Sequence, residues 1–298
     1  MAAPNLAYQY KTASVLVKLI VINVAVFLFV HLGSFFFKIE SKDLMDWFVL
    51  RVDLNTLVFR PWTLITYSFL HFGDPPKSYG IFHIFFNMLL LYWFGKFVLN
   101  LFTGKRLLTI YLLGAIFGGL LFVLSYNFFP VFEDKRGFVI GASGAVTALY
   151  IFIATYTPNT EVRILKFTIK LWHIALAIFL YDLVRIPISG NAGGLMAHVG
   201  GALFGFVYAT QLAKGNDIGK WFENFMDWIA NLFKPRTKKP FKKVHRTTQP
   251  ASQRSKPKEA KSGHQIKVDG ILDKIGKSGY ESLTKEEKDF LFKAGKDD

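Results

Sequence analysis

Four polar side chains stand inside long apolar runs of the sequence. His83 and Asn87 lie four residues apart, Ser143 sits in Gly141-Ala142-Ser143-Gly144, and His198 sits in Ala197-His198-Val199-Gly200-Gly201. A hydroxyl and an imidazole are the raw material of nucleophilic catalysis. A serine hydroxyl is a weak nucleophile until a base takes its proton. Histidine is the side chain whose ordinary pKa suits that task near neutrality. The attack generates an oxyanion, and His83, the Asn87 amide and the backbone N–H of Ser143 are candidates to stabilise it. Losing one such donor typically costs about 3–4 kcal/mol of transition-state stabilisation. No Asp or Glu stands at an obvious spacing for a third member, so the expectation is a Ser143–His198 dyad. Asp182 and Arg185, three residues apart, read as a local ion pair near a membrane edge.

These groups need elements that carry them into an apolar medium. The chain has 298 residues, 52% of them hydrophobic, with 32 phenylalanines, and its mean hydropathy is +0.30. The apolar residues gather into six runs long enough to span a bilayer. They cover Ser14 to Phe37, Tyr79 to Leu101, Leu107 to Pro130, Phe138 to Tyr156, Phe167 to Arg185, and Asn191 to Ala213. The expected fold class is therefore an all-α, polytopic six-helix membrane bundle. Polar groups at membrane depth are costly and face the bundle interior. His83 and Asn87 share one face of the second span. The second, fourth and sixth spans run in the same direction, which brings the four groups to one shallow depth, roughly 6–12 Å below the surface at the helical rise. Gly141 and Gly144 thin the fourth span, and Gly201 and Gly205 form a small-residue face on the sixth, so that these helices can approach closely.

Charge sets the orientation. Lys96, Lys105 and Arg106 flank the second connection, and Arg163, Lys166 and Lys170 flank the fourth. Basic loops stay cytoplasmic, which places both termini there and the Lys38–Ser78 connection outside. A short N-terminus without a targeting extension suggests a bacterial inner membrane. The net charge of +15 is concentrated in a tail from Lys234 to Lys267. Following a membrane domain, such a tail suits anionic lipid better than nucleic acid. The expected organisation is a transmembrane domain over 1–213, an amphipathic interfacial helix over 214–234, a basic disordered linker over 235–267, and a small helical module over 268–298. In that module Thr284 and Glu287 have the spacing of a capping box. The chain has no cysteine, which excludes disulfides and thiolate chemistry. No His-Glu-x-x-His zinc motif occurs, and no metal or cofactor is expected.

The segments His83-Ile84-Phe85-Phe86-Asn87, Gly141-Ala142-Ser143-Gly144 and Ala197-His198-Val199-Gly200-Gly201 with Gly205 resemble the HxxxN, GxSG and AHxxGxxxG motifs of the rhomboid family of intramembrane serine proteases. They occur in the family's order, and the resemblance covers about Ser14 to Ala213. It implies a six-helix bundle with a water-filled cavity, Ser143 and His198 as the dyad, and His83 and Asn87 as oxyanion stabilisers. It also implies transmembrane protein substrates with a helix-weakening segment and a small residue before the scissile bond. An inactive relative that binds membrane clients is the alternative. Three positions depart from the family pattern. Trp62 is followed by Thr63, with Arg60 before it, where the family often has Trp-Arg. Thr147 stands where many members place an aromatic against the imidazole, which leaves the orientation of His198 to another partner. The stretch between His71 and His83 is long and contains Gly73-Asp74-Pro75-Pro76.

Overall fold

The computed structural model describes residues 5–71, 79–132, 137–164, 166–188, 190–233 and 263–294. It forms two compact units, Met1–Pro235 and Arg236–Asp298. The first opens with α1 (Leu6–Thr12) and α2 (Val15–Phe37), and Ser14 Oγ caps α2 by accepting from the Val17 N–H. The connection that follows contains α3 (Ser41–Met45), β1 (Leu50–Arg51), α4 (Leu54–Phe59) and α5 (Thr63–Thr66). Next come α6 (Tyr79–Leu101), α7 (Gly104–Phe128), β2 (Phe138–Val139) and α8 (Ser143–Tyr156). A hairpin of β3 (Glu161–Ile164) and β4 (Phe167–Lys170) leads to α9 (Leu171–Arg185), α10 (Ala192–Ala213) and α11 (Lys220–Leu232).

The chain is mainly helical, with two short antiparallel strand pairs added to the all-α expectation. Leu50 pairs with Val139 and Arg51 with Phe138, while Glu161 pairs with Lys170 and Ile164 with Phe167. Among the described residues four helices are long and apolar enough to cross a membrane: α2, α6, α7 and α10. α8 has 14 residues and α9 has 15, fewer than the roughly 20 that span a hydrocarbon core as helix alone. The expected fourth and fifth spans therefore start too early. Phe138-Val139 is extended and paired with β1, and the positive φ of Gly141 (117°) keeps the helix from starting before Ser143. The Phe167–Lys170 stretch is aromatic and β-branched, which favours a strand, and it folds back on β3.

The order of layers follows from composition. α8 is apolar all round and almost wholly buried, from Gly144 to Tyr150 and from Phe152 to Ala154, as befits a central helix. α7 and α10 pack against it. α2 lies outside, with Phe29, Phe35, Phe36 and Phe37 exposed. Lipid tails are as apolar as leucine, so helices in a bilayer associate through close packing more than through hydrophobic transfer. Here the backbones themselves meet. A Cβ on Gly201 would overlap the carbonyl oxygen of Gly144, and one on Gly205 would overlap that of Ala148. A Cβ on Gly200 would fall 2.6 Å from the Phe117 carbonyl oxygen on α7.

The first connection is clasped around Asp46. Its carboxylate pairs with Arg51 and, at 3.2 Å, with Arg60 Nη1; these guanidiniums hold it below the usual carboxylate range. Arg60 also lies 4.0 Å above the Trp47 ring, and Trp62 Nε1 donates to the Trp47 carbonyl at 2.9 Å. Arg60 and Trp62, on either side of Pro61, thus anchor this connection without an adjacent Trp-Arg pair. At the other end of the bundle, Arg106 joins Glu223 (2.7 Å) and Asp217 (2.6 Å), tying the start of α7 to α11. Trp221, Phe225 and Trp228 on α11 remain exposed.

The second unit contains α12 (Gly263–Ser278) and α13 (Lys285–Ala294), joined through Gly279 at positive φ. The Thr284 N–H donates to Glu287 Oε2 (2.8 Å), and the Glu287 N–H donates to Thr284 Oγ1 (3.3 Å), a reciprocal cap. The Gly73-Asp74-Pro75-Pro76 stretch and most of the basic tail lie outside the described residues.

Gly201→Val is expected to destabilise the bundle by about 1–3 kcal/mol, because it forces the α8 and α10 backbones apart. Gly33→Ala, where a Cβ meets only the end of Leu44 at 3.7 Å, is expected to change little. Thermal unfolding of both variants in detergent checks this.

Candidate active site

The segment that delivers Ser143 is irregular, and each of its backbone donors has to be satisfied. Gly141 has φ 117°, a conformation that other residues rarely adopt. Its N–H donates to the Tyr67 carbonyl at 2.9 Å. The next N–H, on Ala142, donates to His71 Nε2 at 3.3 Å. His71 is 1% exposed, and burial, aided by nearby His83, pushes its imidazole down to about 3. It is therefore neutral and has a free lone pair for Ala142. Ser143 is then the first residue of α8. It lies at a helix N-terminus, where main-chain N–H groups have no helical partner and partial positive charge accumulates.

α6 brings His83 against this turn. A methyl group on Gly141 would sit 3.0 Å from His83 Nε2 and 3.8 Å from Ser143 Oγ. The missing side chain thus leaves room for both groups at one point. Asn87 is one turn further along, and its Nδ2 donates to the His83 carbonyl at 2.8 Å. An amide nitrogen carries two hydrogens, so one donor remains. His71 and His83 stack edge to face with centroids 5.3 Å apart.

α10 supplies His198 from the opposite side, and α9 supplies a carboxylate. His198 Nδ1 lies 2.8 Å from Asp182 Oδ2. The expected Asp182–Arg185 pair is thus replaced by a longer-range contact, and Arg185 lies over the Tyr181 ring at 5.3 Å. The i, i+3 spacing suggested a local partner. The carboxylate instead turns inward, as buried charge in an apolar bundle does.

Ser143, His198, His83 and Asn87 all line one cavity of about 700 Å³, which Thr147, Tyr150 and Asp182 also border. Gly141, Gly144, Gly201 and Gly205 lie outside that lining; Gly144, Gly201 and Gly205 act through the backbone approach described above, whereas Gly141, expected to thin the fourth span, precedes α8 and acts through its positive φ and the room it leaves for His83. Among the described residues no hydrogen bond joins Ser143 Oγ to His198; such contacts often tighten only when substrate arrives. Sequence reasoning missed two contributors. Asp182 carried a signal, since it is the one acidic residue within the expected fifth span. His71 carried none beyond its residue type.

Comparison with known families adds an observation independent of this geometry. The Rhomboid domain family matches residues 58–215, more than half of the chain. The chain belongs to the rhomboid family. Among curated relatives, RHOMBOID-like protein 12, mitochondrial, of Arabidopsis thaliana is 31% identical over 189 residues, covering 59% of this chain and 53% of that protein. Presenilin-associated rhomboid-like protein, mitochondrial, of Homo sapiens is 25% identical over 137 residues, or 45% and 35% of the two chains. Presenilin-associated rhomboid-like protein A, mitochondrial, of Danio rerio is 28% identical over 179 residues, or 53% and 45%. This rhomboid thus spans about half or less of the length of these relatives. Residues 255–293 match a second family, one of unknown function (DUF6576), over the α12–α13 module. The protein is an integral, multi-pass membrane protein of this family.

His71 is neutral in the fold and depressed from its ordinary 6.5 to about 3. Its contribution is fully present above 6.5 and is lost as pH falls from there towards 3. The melting temperature is expected to drop between pH 6.5 and about 4.5, before most carboxylates titrate. In His71→Gln, whose side-chain carbonyl can accept from Ala142 without titrating, that drop is expected to shrink. Thermal melts across this range check it.

Proposed function

We propose that this rhomboid is a serine endopeptidase that cuts peptide bonds in or near transmembrane segments, with Ser143 as nucleophile and His198 as base. The observation that carries the reading is the shared cavity: a hydroxyl, an imidazole and two further donors reach it from α8, α10 and α6. Family membership supports the same class of activity.

The chemistry balances in two half-reactions. Ser143 Oγ attacks the scissile carbonyl carbon while its proton passes to His198 Nε2. The resulting oxyanion is met by the Ser143 N–H at the start of α8, by His83 and by the remaining Asn87 donor. The C–N bond breaks as His198 returns the proton to the leaving amine, and an acyl ester remains on Ser143. Water then attacks that ester, losing its proton to His198, which passes it to Ser143 Oγ as the acid product leaves. The reaction needs water at a site within an apolar bundle. The polar wall formed by Asn87, Ser143, Asp182 and His198 suits a wet cavity.

Substrates by this reading are membrane proteins whose helix unwinds readily, with a small residue before the cut. The lipid bilayer is the second partner, and the basic tail adds contact with anionic headgroups. The basic residues Lys96, Lys105, Arg106, Arg163 and Lys170 flank α6–α7 and α8–α9, which supports placing both termini in the cytoplasm. On compartment, the relatives above bear mitochondrial names.

Purified protein in proteoliposomes is expected to cleave a transmembrane substrate, and Ser143→Ala is expected to lower the rate at least about 10³-fold. A fluorophosphonate probe is expected to label the wild type and not the variant. Equal cleavage by both would overturn the assignment of Ser143. A wild type that neither cleaves nor labels would favour the client-binding alternative.

A further inference from the structure

We propose that Asp182 is a positioning residue for the proposed reaction, holding His198 in the tautomer and orientation that leave Nε2 free to act as base. The inference rests on the assignment of Ser143 and His198 above and adds a third member to their pair.

The geometry carries the argument. Asp182 Oδ2 lies 2.8 Å from His198 Nδ1. An ionised carboxylate only accepts hydrogen bonds, so this contact puts the imidazole proton on Nδ1. A neutral ring with its proton on Nδ1 has its lone pair on Nε2. The same carboxylate stabilises the imidazolium that forms when Nε2 takes the serine proton. Asp182 is 9% exposed. A carboxylate inside an apolar helix bundle is costly unless paired, and His198 is its hydrogen-bond partner here.

A second observation shows why the ring needs such a partner. Thr147, one turn after Ser143 in α8, is too short to form a flat platform for the imidazole. Among the described residues no aromatic ring stacks on His198, and the directional bond between Nδ1 and Asp182 fixes its plane. The other titratable groups lining the cavity are His83 on α6, Tyr150 on α8, and Tyr181 and Arg185 on α9. Arg185 stacks on Tyr181 and forms no hydrogen-bonded pair with Asp182 among the described residues. Tyr150 Oη is buried there without a hydrogen-bond partner.

The isosteric Asp182→Asn tests this in proteoliposomes. Its amide can donate to Nδ1 and so impose the opposite tautomer, with the proton on Nε2. The expected result is a fall in kcat of about 10²-fold or more with KM little changed. Asp182→Glu is expected to recover part of the rate. The tautomer can also be read in the wild type by ¹⁵N NMR of His198, with a protonated Nδ1 and a bare Nε2 expected in the neutral ring. A proton on Nε2 in that spectrum would overturn the proposal even if the variants failed to fold. So would an Asp182→Asn enzyme with wild-type kcat. A variant that only melts earlier, with its per-molecule kcat intact, would reduce Asp182 to a structural residue and likewise overturn it. Ser143→Ala, run alongside, separates the two claims. If it retains full cleavage, the underlying assignment fails; if it is inactive while Asp182→Asn is not, only the role of Asp182 fails.

Discussion

The fold depends on two backbones touching. Serine has a short side chain, and it can meet a histidine from another helix only where nothing wider than hydrogen separates the helices. Gly201 packs onto the Gly144 carbonyl and Gly205 onto that of Ala148, so α8 and α10 meet main chain to main chain. In a bilayer this contact has to supply its own stabilisation, because lipid competes equally for apolar side chains. The close packing of α7 against α10, where Gly200 meets the Phe117 carbonyl, and against α8, where Gly114 meets Ala148, adds to it. What looks like a packing device is therefore also what sets the distance between Ser143 and His198. Bulk added there would act on stability and on the spacing of these side chains together.

A second constraint follows from placing irregular backbone inside an apolar bundle. Non-helical chain at such depth is tolerated only if its polar groups are satisfied or line a cavity. The turn before α8 meets both conditions. Its first two N–H groups are engaged by the Tyr67 carbonyl and by His71, and the next belongs to Ser143 at the cavity wall. The neutral state of His71 is part of this arrangement, since an imidazolium has no lone pair to offer Ala142. Tyr67 is fixed in turn by its own hydroxyl, which donates to the Ala115 carbonyl on α7 at 2.8 Å. Ser143 is thus held by a chain of ordinary hydrogen bonds reaching from the first connection into the bundle.

How much of this was legible beforehand depended on how local the determining interaction was. Helix existence was readable because α2, α6, α7 and α10 are long apolar runs; Ser14, Thr103 and Asn191 cap α2, α7 and α10. The starts of α8 and α9 were misread because Phe138-Val139 and Phe167–Lys170 are as apolar as the helices they precede. Only the strand partners β1 and β3 distinguish them; β1 lies far from β2 in the sequence and leaves no local mark, while the β3–β4 hairpin is local and its turn went unread. The capping box at Thr284 was readable for the opposite reason, since both partners lie within one helical turn. Asp182 was assigned to Arg185 because three residues is a common ion-pair spacing. Its actual partner is on the next helix, and α9 had to be rotated correctly before that contact became visible.

That last misreading points to a general asymmetry. An exposed ion pair contributes little and can be exchanged for water, so sequence spacing is a reasonable guide to it. A carboxylate in a membrane bundle has no such freedom, because leaving it unpaired costs several kcal/mol. Its partner is therefore dictated by whichever polar group the fold brings within reach. In this chain that group is the imidazole of His198, which lines the same cavity as Ser143. The energetic need of the carboxylate and the geometric need of the imidazole are met by one hydrogen bond of 2.8 Å. A polar group too costly to bury by itself thus becomes compatible with the bundle by fixing another group in place. The same reasoning explains why the buried polar side chains that line the cavity among the described residues, Asn87 on α6, Thr147 on α8 and Asp182 on α9, face inward and not lipid.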